Sequence, residues 1–258
     1  MALVEIEQVT KSFTGNAHRA VDGVSLHVDE GETVGIVGES GSGKTTLARM
    51  MLGLIPPTSG KVSVAGIDFA RANPEELRAL RRQMQPVFQD PYGALNPRMK
   101  VGEIIAEPLV IHRKALGGLS RMGLHGRVDE LLGQVGLDGS ARGRYPHEFS
   151  GGQRQRINIA RALALKPRLL VLDEPVSALD VSVGAQIINL LRSLQQQYQL
   201  TAIFISHSMP LVRYLCSRVV VMRNGRVVEE GEAVELCSRP KEEYTRQLIA
   251  ATPELPAA

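Results

Sequence analysis

The stretch "TVGIVGESGSGKTTLARMM" (residues 33–51) places a glycine-rich loop between an apolar strand and a helix. Within it, Gly38, Gly43, Lys44 and Thr45 match the pattern G-x-x-x-x-G-K-[ST]. A loop of this kind turns successive backbone N–H groups inward around phosphates, and the N-terminus of the following helix adds a favourable dipole. The pattern and its strand–loop–helix context together predict a phosphate-binding loop, or P-loop, for a nucleoside triphosphate.

Individual residues of this loop have predicted roles. Lys44 supplies a point charge to the β- and γ-phosphates, and the hydroxyl of Thr45 is a ligand for Mg²⁺. The other loop residues predicted to contact the nucleotide are Ser40, Gly41, Ser42 and Thr46. A purely structural glycine turn is the alternative, and the flanking strand and helix argue against it.

A second apolar strand, "LLVLDE" (residues 169–174), ends in two acidic residues. Ligands of open α/β sheets bind at the carboxyl ends of the strands, which is where these acids lie. We expect Asp173 to contribute to the Mg²⁺ shell and Glu174 to accept a proton from the attacking water. An acidic pair at a strand end is common by itself, but the upstream P-loop favours the catalytic interpretation.

The segment "FSGGQRQR" (residues 149–156) has the character of a second anion cradle. Ser150 is a suitable N-cap residue, and Gly151 and Gly152 leave backbone N–H groups accessible at the start of a helix. Because the P-loop already surrounds one side of its own nucleotide, this second cradle indicates closure over the nucleotide of another subunit.

Alternating strand and helix signals along the chain predict a wound α/β core. Strands are expected at "LVEIEQV", "VSLHV", "TVGIVG", "KVSVAG", "LLVLDE" and "AIFIS", and helices at "TTLARMMLGLI", "PEELRALRRQM" and "VGAQIINLLRSLQQQY". Asn224 and Gly225 lie between two β-rich runs and predict a two-residue hairpin. Residues 90–150 lack the alternating strand and helix runs of the core; they contain turn-prone residues, several glycines and one amphipathic stretch, "RVDELLGQVGL". We therefore expect an inserted helical subdomain there.

Composition narrows the possible partners. Aromatic residues make up 4% of the chain and Trp is absent, which argues against a stacking platform for single-stranded nucleic acid. The formal net charge is +3, but Lys and Arg are scattered, so no nucleic-acid partner is expected. No apolar run approaches the ~20 residues that span a bilayer. Cys216 and Cys237 are expected to be ordinary reduced residues.

Taken together, these motifs resemble those of ATP-binding cassette (ABC) ATPases over nearly the whole chain. In that family the signature motif, usually LSGGQ and here "FSGGQ" at residues 149–153, completes the γ-phosphate site of the opposite protomer in a head-to-tail dimer. The resemblance therefore implies nucleotide contacts from Ser150, Gly151, Gly152 and Gln153. It also implies a P-loop core with an N-terminal antiparallel β region and an inserted α-helical subdomain.

Four more positions are assigned by the same resemblance. Phe13 lies where the family usually places an aromatic ring against adenine, and Gln89 in "VFQDP" resembles the glutamine that contacts Mg²⁺ or the attacking water. Asp180, at the end of "SALD", resembles the loop that crosses the dimer interface, and His207 in "FISHS" resembles the histidine that contacts the γ-phosphate. Ser208 follows that histidine where the family usually has Asp, which leaves the positioning of its loop open.

The predicted domain organisation is a single ABC ATPase domain over residues 1–250. Its core covers about 1–89 and 158–235, its helical subdomain about 90–157, and a C-terminal segment 236–258. Within the family, "FQDPYGALNPRMKVGEIIAEPL", "HEFSGGQRQRINIARAL" and "LDEPVSALDVSV" resemble the ATPase subunits of oligopeptide, dipeptide and nickel importers.

That branch implies ATP and Mg²⁺ as cofactors and a peripheral position on the cytoplasmic face of the inner membrane. The implied partners are two transmembrane permease subunits, a second ABC ATPase that is either a paralogue or another copy, and, indirectly, a solute-binding protein. Two alternatives stay open at this point. One is an ABC ATPase in a soluble enzyme complex of the phosphonate-breakdown type, and the other is an inactive regulatory cassette, against which Lys44, Glu174 and His207 argue. The transported solute is not determined by this sequence.

Overall fold

The computed structural model describes residues 2–13, 18–118 and 120–251. The strands are β1 (Ala2–Ser12), β2 (Arg19–Asp29), β3 (Thr33–Val37), β4 (Ser59–Val64), β5 (Ile67–Asp68), β6 (Met84–Val87), β7 (Leu169–Asp173), β8 (Thr201–Ser206), β9 (Arg218–Arg223) and β10 (Arg226–Glu232). The helices are α1 (Lys44–Met51), α2 (Pro74–Gln83), α3 (Val101–Ile111), α4 (Arg121–Gln134), α5 (Gly151–Leu163), α6 (Val181–Tyr198), α7 (Met209–Leu215), α8 (Ala233–Ser238) and α9 (Glu243–Ala251).

A six-stranded sheet in the order β10-β9-β3-β8-β7-β6 forms the core. All neighbouring pairs are parallel except β9 and β10, which form an antiparallel hairpin. Its parallel strands are short apolar runs because both faces of such a sheet are covered. Successive residues therefore enter two different hydrophobic clusters: in β8, Phe204 packs into one and Ile203 and Ile205 into the other.

The N-terminal sheet is antiparallel and has the order β2-β1-β4-β5. Its inward side chains, among them Val4, Val9 and Val28, share a cluster with Leu47 and Met51 of α1 and with the near face of the six-stranded sheet. This packing encloses α1 between the two sheets and so fixes the direction in which its N-terminus points.

The region between β6 and β7 is helical, as the sequence predicts. It contains α3, α4, two short 3-10 helices (Gly139–Gly143 and Pro146–Glu148) and α5. Ile104, Ile105, Leu131 and Leu132 are fully or almost fully buried and belong to the same cluster as Phe204. The predicted boundary near residue 157 falls inside α5, a continuous helix, and stays a prediction.

The strands and helices predicted from the sequence are all present, and the hairpin at Asn224 and Gly225 is confirmed. Both turn residues have positive φ, 50° and 79°, as a primed two-residue turn requires. Elements without a sequence prediction are β5, β6, α3, α7, α8 and α9. The tail "TPELPAA", for which fraying is expected, lies outside the described residues.

Candidate nucleotide site

Four neighbouring parallel strands end in predicted site residues. Along the sheet order β3-β8-β7-β6, β3 leads into the P-loop and β8 into His207, while β7 ends in Asp173 and β6 is followed by Gln89. Carboxyl ends of adjacent parallel strands meet at one edge of a sheet. The topology therefore assembles these residues, although they lie far apart in the sequence.

The P-loop is closed around the ammonium group of Lys44. Its Nζ donates to the carbonyl oxygens of Gly38 at 2.7 Å and Glu39 at 2.8 Å, and lies 3.4 Å from the hydroxyl of Ser42. Burial lowers the pKa of Lys44, and the carboxylates of Glu174 and Asp173 oppose that shift. A buried cation at the base of a helix N-terminus suits a polyanion.

Two glycines of the loop are required by their surroundings. A Cβ on Gly38 would lie 2.2 Å from the carbonyl oxygen of Met222, and one on Gly43 would lie 2.3 Å from the carbonyl oxygen of Ala20. Both also have positive φ, 155° and 104°. Gly41 differs, since an added Cβ there would meet open space, although its φ of 82° favours glycine as well. The exposed Ser40 and Gly41 form the outer rim of the loop.

The structure brings two of the three predicted magnesium ligands together, Thr45 and Asp173, while the third, Gln89, approaches Glu174. The hydroxyl of Thr45 donates to Oδ1 of Asp173 at 3.2 Å. Burial raises the pKa of Asp173, the hydrogen bond from Thr45 opposes this, and the neighbouring Glu174 adds to the rise. Mg²⁺ is bound through one or two carboxylates together with substrate phosphates and waters, so this oxygen pair fits the ion. Thr46 is half-buried in the first turn of α1.

Glu174 has a left-handed backbone conformation. Its φ is 47°, and its backbone N–H donates to the carbonyl of Ile205 at 3.0 Å, which fastens the residue to the end of β8. A non-glycine residue in this region costs of order 1 kcal/mol or more and persists only where the surroundings enforce it. The turn directs the Glu174 side chain towards two other predicted site residues.

Gln89 and His207 both approach the same carboxylate oxygen. Nε2 of Gln89 lies 3.4 Å from Oε2 of Glu174, and Nδ1 of His207 lies 3.5 Å from that atom. These distances are longer than those of a strong hydrogen bond. Ser208 accounts for part of the local geometry, because its backbone N–H donates to the hydroxyl of Ser206 at 3.0 Å and it precedes α7 as the N-cap.

Phe13 lies at the end of the described N-terminal segment. Its side chain is 45% exposed, and the ammonium of Lys11 lies 5.3 Å from the ring centroid. An exposed aromatic face on an otherwise well-packed sheet is available for stacking on a planar ligand.

The signature segment caps α5 as predicted. The hydroxyl of Ser150 accepts the backbone N–H of Gln153 at 3.3 Å, and Oε1 of Gln153 accepts the N–H of Ser150 at 3.0 Å. Ser150 and Gln153 are exposed. A hydroxyl that accepts one hydrogen bond can still donate its own proton. Asp180 is also exposed and is the N-cap of α6, where its carbonyl accepts the N–H of Gly184 at 2.7 Å.

Gly152 has a role that sequence reasoning did not supply. A Cβ at this position would lie 2.3 Å from Cγ1 of Val183 on α6, whereas one on Gly151 would lie 3.3 Å from the flexible tip of Leu179. Gly152 therefore allows α5 and α6 to pack closely at the base of the signature segment. The feature that indicates this packing role is the β-branched side chain of Val183, which faces Gly152 from α6.

Gly152→Ala is expected to lower the free energy of unfolding by about 1–3 kcal/mol, because the added methyl overpacks against Val183. The matched control is Gly126→Ala in α4, where a Cβ meets open space and a gain of about 0.5–1 kcal/mol is expected. Denaturant unfolding measures both. Adding Val183→Ala to Gly152→Ala should recover part of the loss, and an unchanged stability of Gly152→Ala alone would contradict the assignment.

Comparison with known proteins shows the family to which the chain belongs. The family model described as ABC transporter matches residues 21–177, which is more than half of the chain. The chain belongs to the ABC transporter family. It is 50% identical to the oligopeptide transport ATP-binding protein OppF of Escherichia coli over 236 residues, covering 91% of this chain and 70% of that protein. As a family member it carries an ATP-binding domain.

A second relative is longer than this chain. The oligopeptide transport ATP-binding protein OppD of Mycobacterium tuberculosis is 52% identical over 236 residues, which is 92% of this chain but 38% of that protein. The chain thus spans well under half the length of this relative. Among solved structures, the ATP-binding cassette MJ0796, a dimer bound to ADP and phosphate, is 32% identical with a TM-score of 0.80, covering 89% of this chain and 98% of that one.

None of the helices that the structure describes has both the length and the apolar character needed to cross a membrane.

The two cysteines, Cys216 and Cys237, are free thiols, and burial raises the pKa of each.

Proposed function

We propose that this chain is the ATP-hydrolysing subunit of an ABC importer that takes up peptides, nickel or a related solute through a membrane permease. The observation that carries the hydrolytic part is the convergence of Gln89 and His207 on one oxygen of Glu174, beside the Thr45–Asp173 pair. The importer part is supported by the peptide-transport relatives that match most of the chain.

The residues at the strand ends have different roles in ATP binding and hydrolysis. Lys44 and the loop from Gly38 to Thr46 hold the β- and γ-phosphates, with Phe13 stacked against adenine. Thr45, Asp173 and Gln89 would hold Mg²⁺, and the bound ion would supply positive charge that neutralises charge on the phosphates. Glu174 accepts the proton of the attacking water, and His207 contacts the γ-phosphate and steadies the Glu174 side chain.

The second half of the site comes from another ATPase subunit, either a second copy or a paralogue. The hydrogen bonds of Ser150 stay within the first turn of α5, so its hydroxyl and the helix N-terminus face outward as an anion site. Closure of two subunits head to tail places Ser150, Gly151, Gly152 and Gln153 on the partner's γ-phosphate. Asp180, exposed before α6, lies in the loop that meets the partner.

Direct contacts link the catalytic strand ends to α5. Nε2 of Gln155 donates to the carbonyl of Pro175, next to Glu174, at 2.7 Å. A guanidinium nitrogen of Arg161 donates to the carbonyl of Ala94, in the loop after Gln89, at 2.6 Å. A change in the contacts of the γ-phosphate can therefore move the helical region, because both sides of the site are fastened to the same helix.

We propose the same domain division as the sequence suggests, with the helical subdomain near residues 90–157 facing the permease. Exposed apolar side chains there include Tyr92, Val110, Ile111 and Met122. These residues support a contact with two transmembrane permease subunits on the cytoplasmic face of the inner membrane, with a solute-binding protein acting upstream.

A pull-down of the tagged chain from its native membranes in mild detergent, followed by mass spectrometry, tests the importer assignment. Two polytopic permeases and an ABC ATPase partner are the expected result, and a co-encoded solute-binding protein would identify the solute class. Recovery of a purely soluble enzyme complex would contradict the importer assignment while leaving ATP hydrolysis standing.

A further inference from the structure

The C-terminal helix reaches the P-loop through one side chain. Tyr244, in the first turn of α9, is 5% exposed, and its hydroxyl accepts the backbone N–H of Glu39 at 3.1 Å. The two residues are 205 positions apart in the sequence. Glu39 follows Gly38 within the phosphate-binding loop, so the contact is with the loop itself.

The same stretch of backbone holds Lys44 on its other side. The carbonyl oxygens of Gly38 and Glu39 accept hydrogen bonds from Nζ of Lys44 at 2.7 and 2.8 Å. Glu39 therefore donates to Tyr244 through its N–H and accepts from Lys44 through its carbonyl. Any shift of this residue changes the position of the lysine that faces the phosphates.

Tyr244 is itself held firmly by the β9–β10 hairpin. The guanidinium of Arg223, the last residue of β9, lies 4.7 Å from the centroid of its ring. The carboxylate of Glu229, in β10, accepts the backbone N–H groups of Lys241 and Glu242 at 2.8 and 3.1 Å, which fixes the entry into α9. Met222, beside Arg223, is the residue whose carbonyl closes against Gly38.

We propose that Tyr244 is a positioning residue for ATP binding, which fastens the P-loop to α9 and holds Gly38 and Glu39 in the conformation that orients Lys44. This inference rests on the proposed binding of ATP by the loop. Because Tyr244 acts through the backbone of Glu39 and not through Glu174, its loss lowers nucleotide affinity and leaves the chemical step intact. A KM increase with an unchanged kcat is the corresponding kinetic signature.

Tyr244→Phe removes the hydroxyl while keeping the ring under Arg223. Loss of one neutral hydrogen bond in a loop that binds ligand should raise the Kd for ATP by roughly two- to tenfold. Equilibrium dialysis with Mg²⁺ and ATP measures this. Amide hydrogen exchange over residues 33–44, followed by mass spectrometry on the nucleotide-free protein, should become faster in the variant.

Tyr214→Phe is the matched control. Tyr214 also uses its hydroxyl in a hydrogen bond, to Oδ1 of Asn189 at 2.8 Å, and carries the guanidinium of Arg192 at 4.4 Å from its ring, on helices α6 and α7. Removal of the Tyr214 hydroxyl should leave ATP affinity and the amide hydrogen exchange of residues 33–44 at wild-type values. Both variants are compared at a temperature at which circular dichroism shows each to be folded.

The possible outcomes distinguish failure of the positioning role of Tyr244 from failure of the proposed ATP binding. If wild type binds ATP and Tyr244→Phe binds it equally well with unchanged exchange of residues 33–44, the positioning role is overturned. If wild type fails to bind ATP, the proposed function fails, and hydrogen exchange alone then decides whether Tyr244 restrains the loop. Arg223→Met, which removes the cation from the ring and keeps the hydroxyl, should give a smaller increase in Kd than Tyr244→Phe.

Discussion

Glu174→Gln should reduce ATP turnover by about 10²–10⁴-fold, the range typical of a positioned general base, and leave ATP affinity intact. The amide keeps the size of the side chain and its contacts with Gln89 and His207, but it cannot accept a proton from the attacking water. Release of phosphate under saturating Mg²⁺ and ATP measures turnover, and equilibrium dialysis measures affinity.

Glu76→Gln is the matched control for this substitution. Glu76 accepts the backbone N–H of Asn73 at 2.8 Å in the capping box of α2, a bond that an amide oxygen can also accept. Its turnover should equal that of the wild type. Wild-type turnover in Glu174→Gln would remove Glu174 from the role of base.

Ser150→Arg should lower ATP turnover by about 10²-fold or more, because it places a bulky cation where the anion site of α5 must close on a partner's phosphate. The fold should survive, since the cap that is lost contributes only about 0.5–2 kcal/mol. The proposed contact of Ser150 is with the partner's nucleotide and not with ATP on the P-loop of its own copy, so the nucleotide affinity of the single subunit should stay near the wild-type value.

Ser120→Arg provides the comparison. Ser120 is the N-cap of α4 and accepts the N–H of Gly123 at 3.1 Å, so the substitution removes the same kind of cap from the same region. It should cost similar stability and leave turnover unchanged. Equal losses of turnover in the two variants would attribute the effect of Ser150→Arg to the fold and not to a shared site.

Local signals made much of this structure predictable. The glycines and Lys44 of the P-loop, the apolar runs of β7 and β8, and the Asn224–Gly225 turn each carry their information within a few residues. Ser150 likewise predicts its own cap, because the capping bond closes three residues later. These features depend on backbone chemistry that neighbouring residues alone determine.

Elements that depend on distant contacts were not predictable. Strand β6 is only four residues long and contains Pro86, and α3 contains Pro108, which weakens its helical signal. Both elements form because they bury apolar side chains against elements that are distant in the sequence. Val87 of β6 and Ile105 of α3 both belong to the cluster around Phe204.

The contact between Tyr244 and Glu39 is the clearest case of this limit. The donor is a backbone N–H, which cannot be recognised from the residue type. The acceptor is a tyrosine whose position in α9 is that of an ordinary buried side chain. The close approach of Gly152 to Val183 is similar, since a glycine beside a phosphate-type motif is first interpreted as an anion contact. In both positions the deciding partner lies on another element.

We expect an ATP site of this chain to be completed by a second ATPase subunit. Light scattering of purified Glu174→Gln, with and without Mg²⁺ and ATP, tests it most directly, because ATP that is bound but not hydrolysed should hold the dimer closed. We expect the monomer mass without ATP, twice that mass with ATP, and no doubling once Ser150→Arg is added. A protein that binds ATP and keeps its monomer mass, both alone and when mixed with the ATPase partner recovered by the pull-down, would contradict it, as would one that still doubles with Arg at position 150.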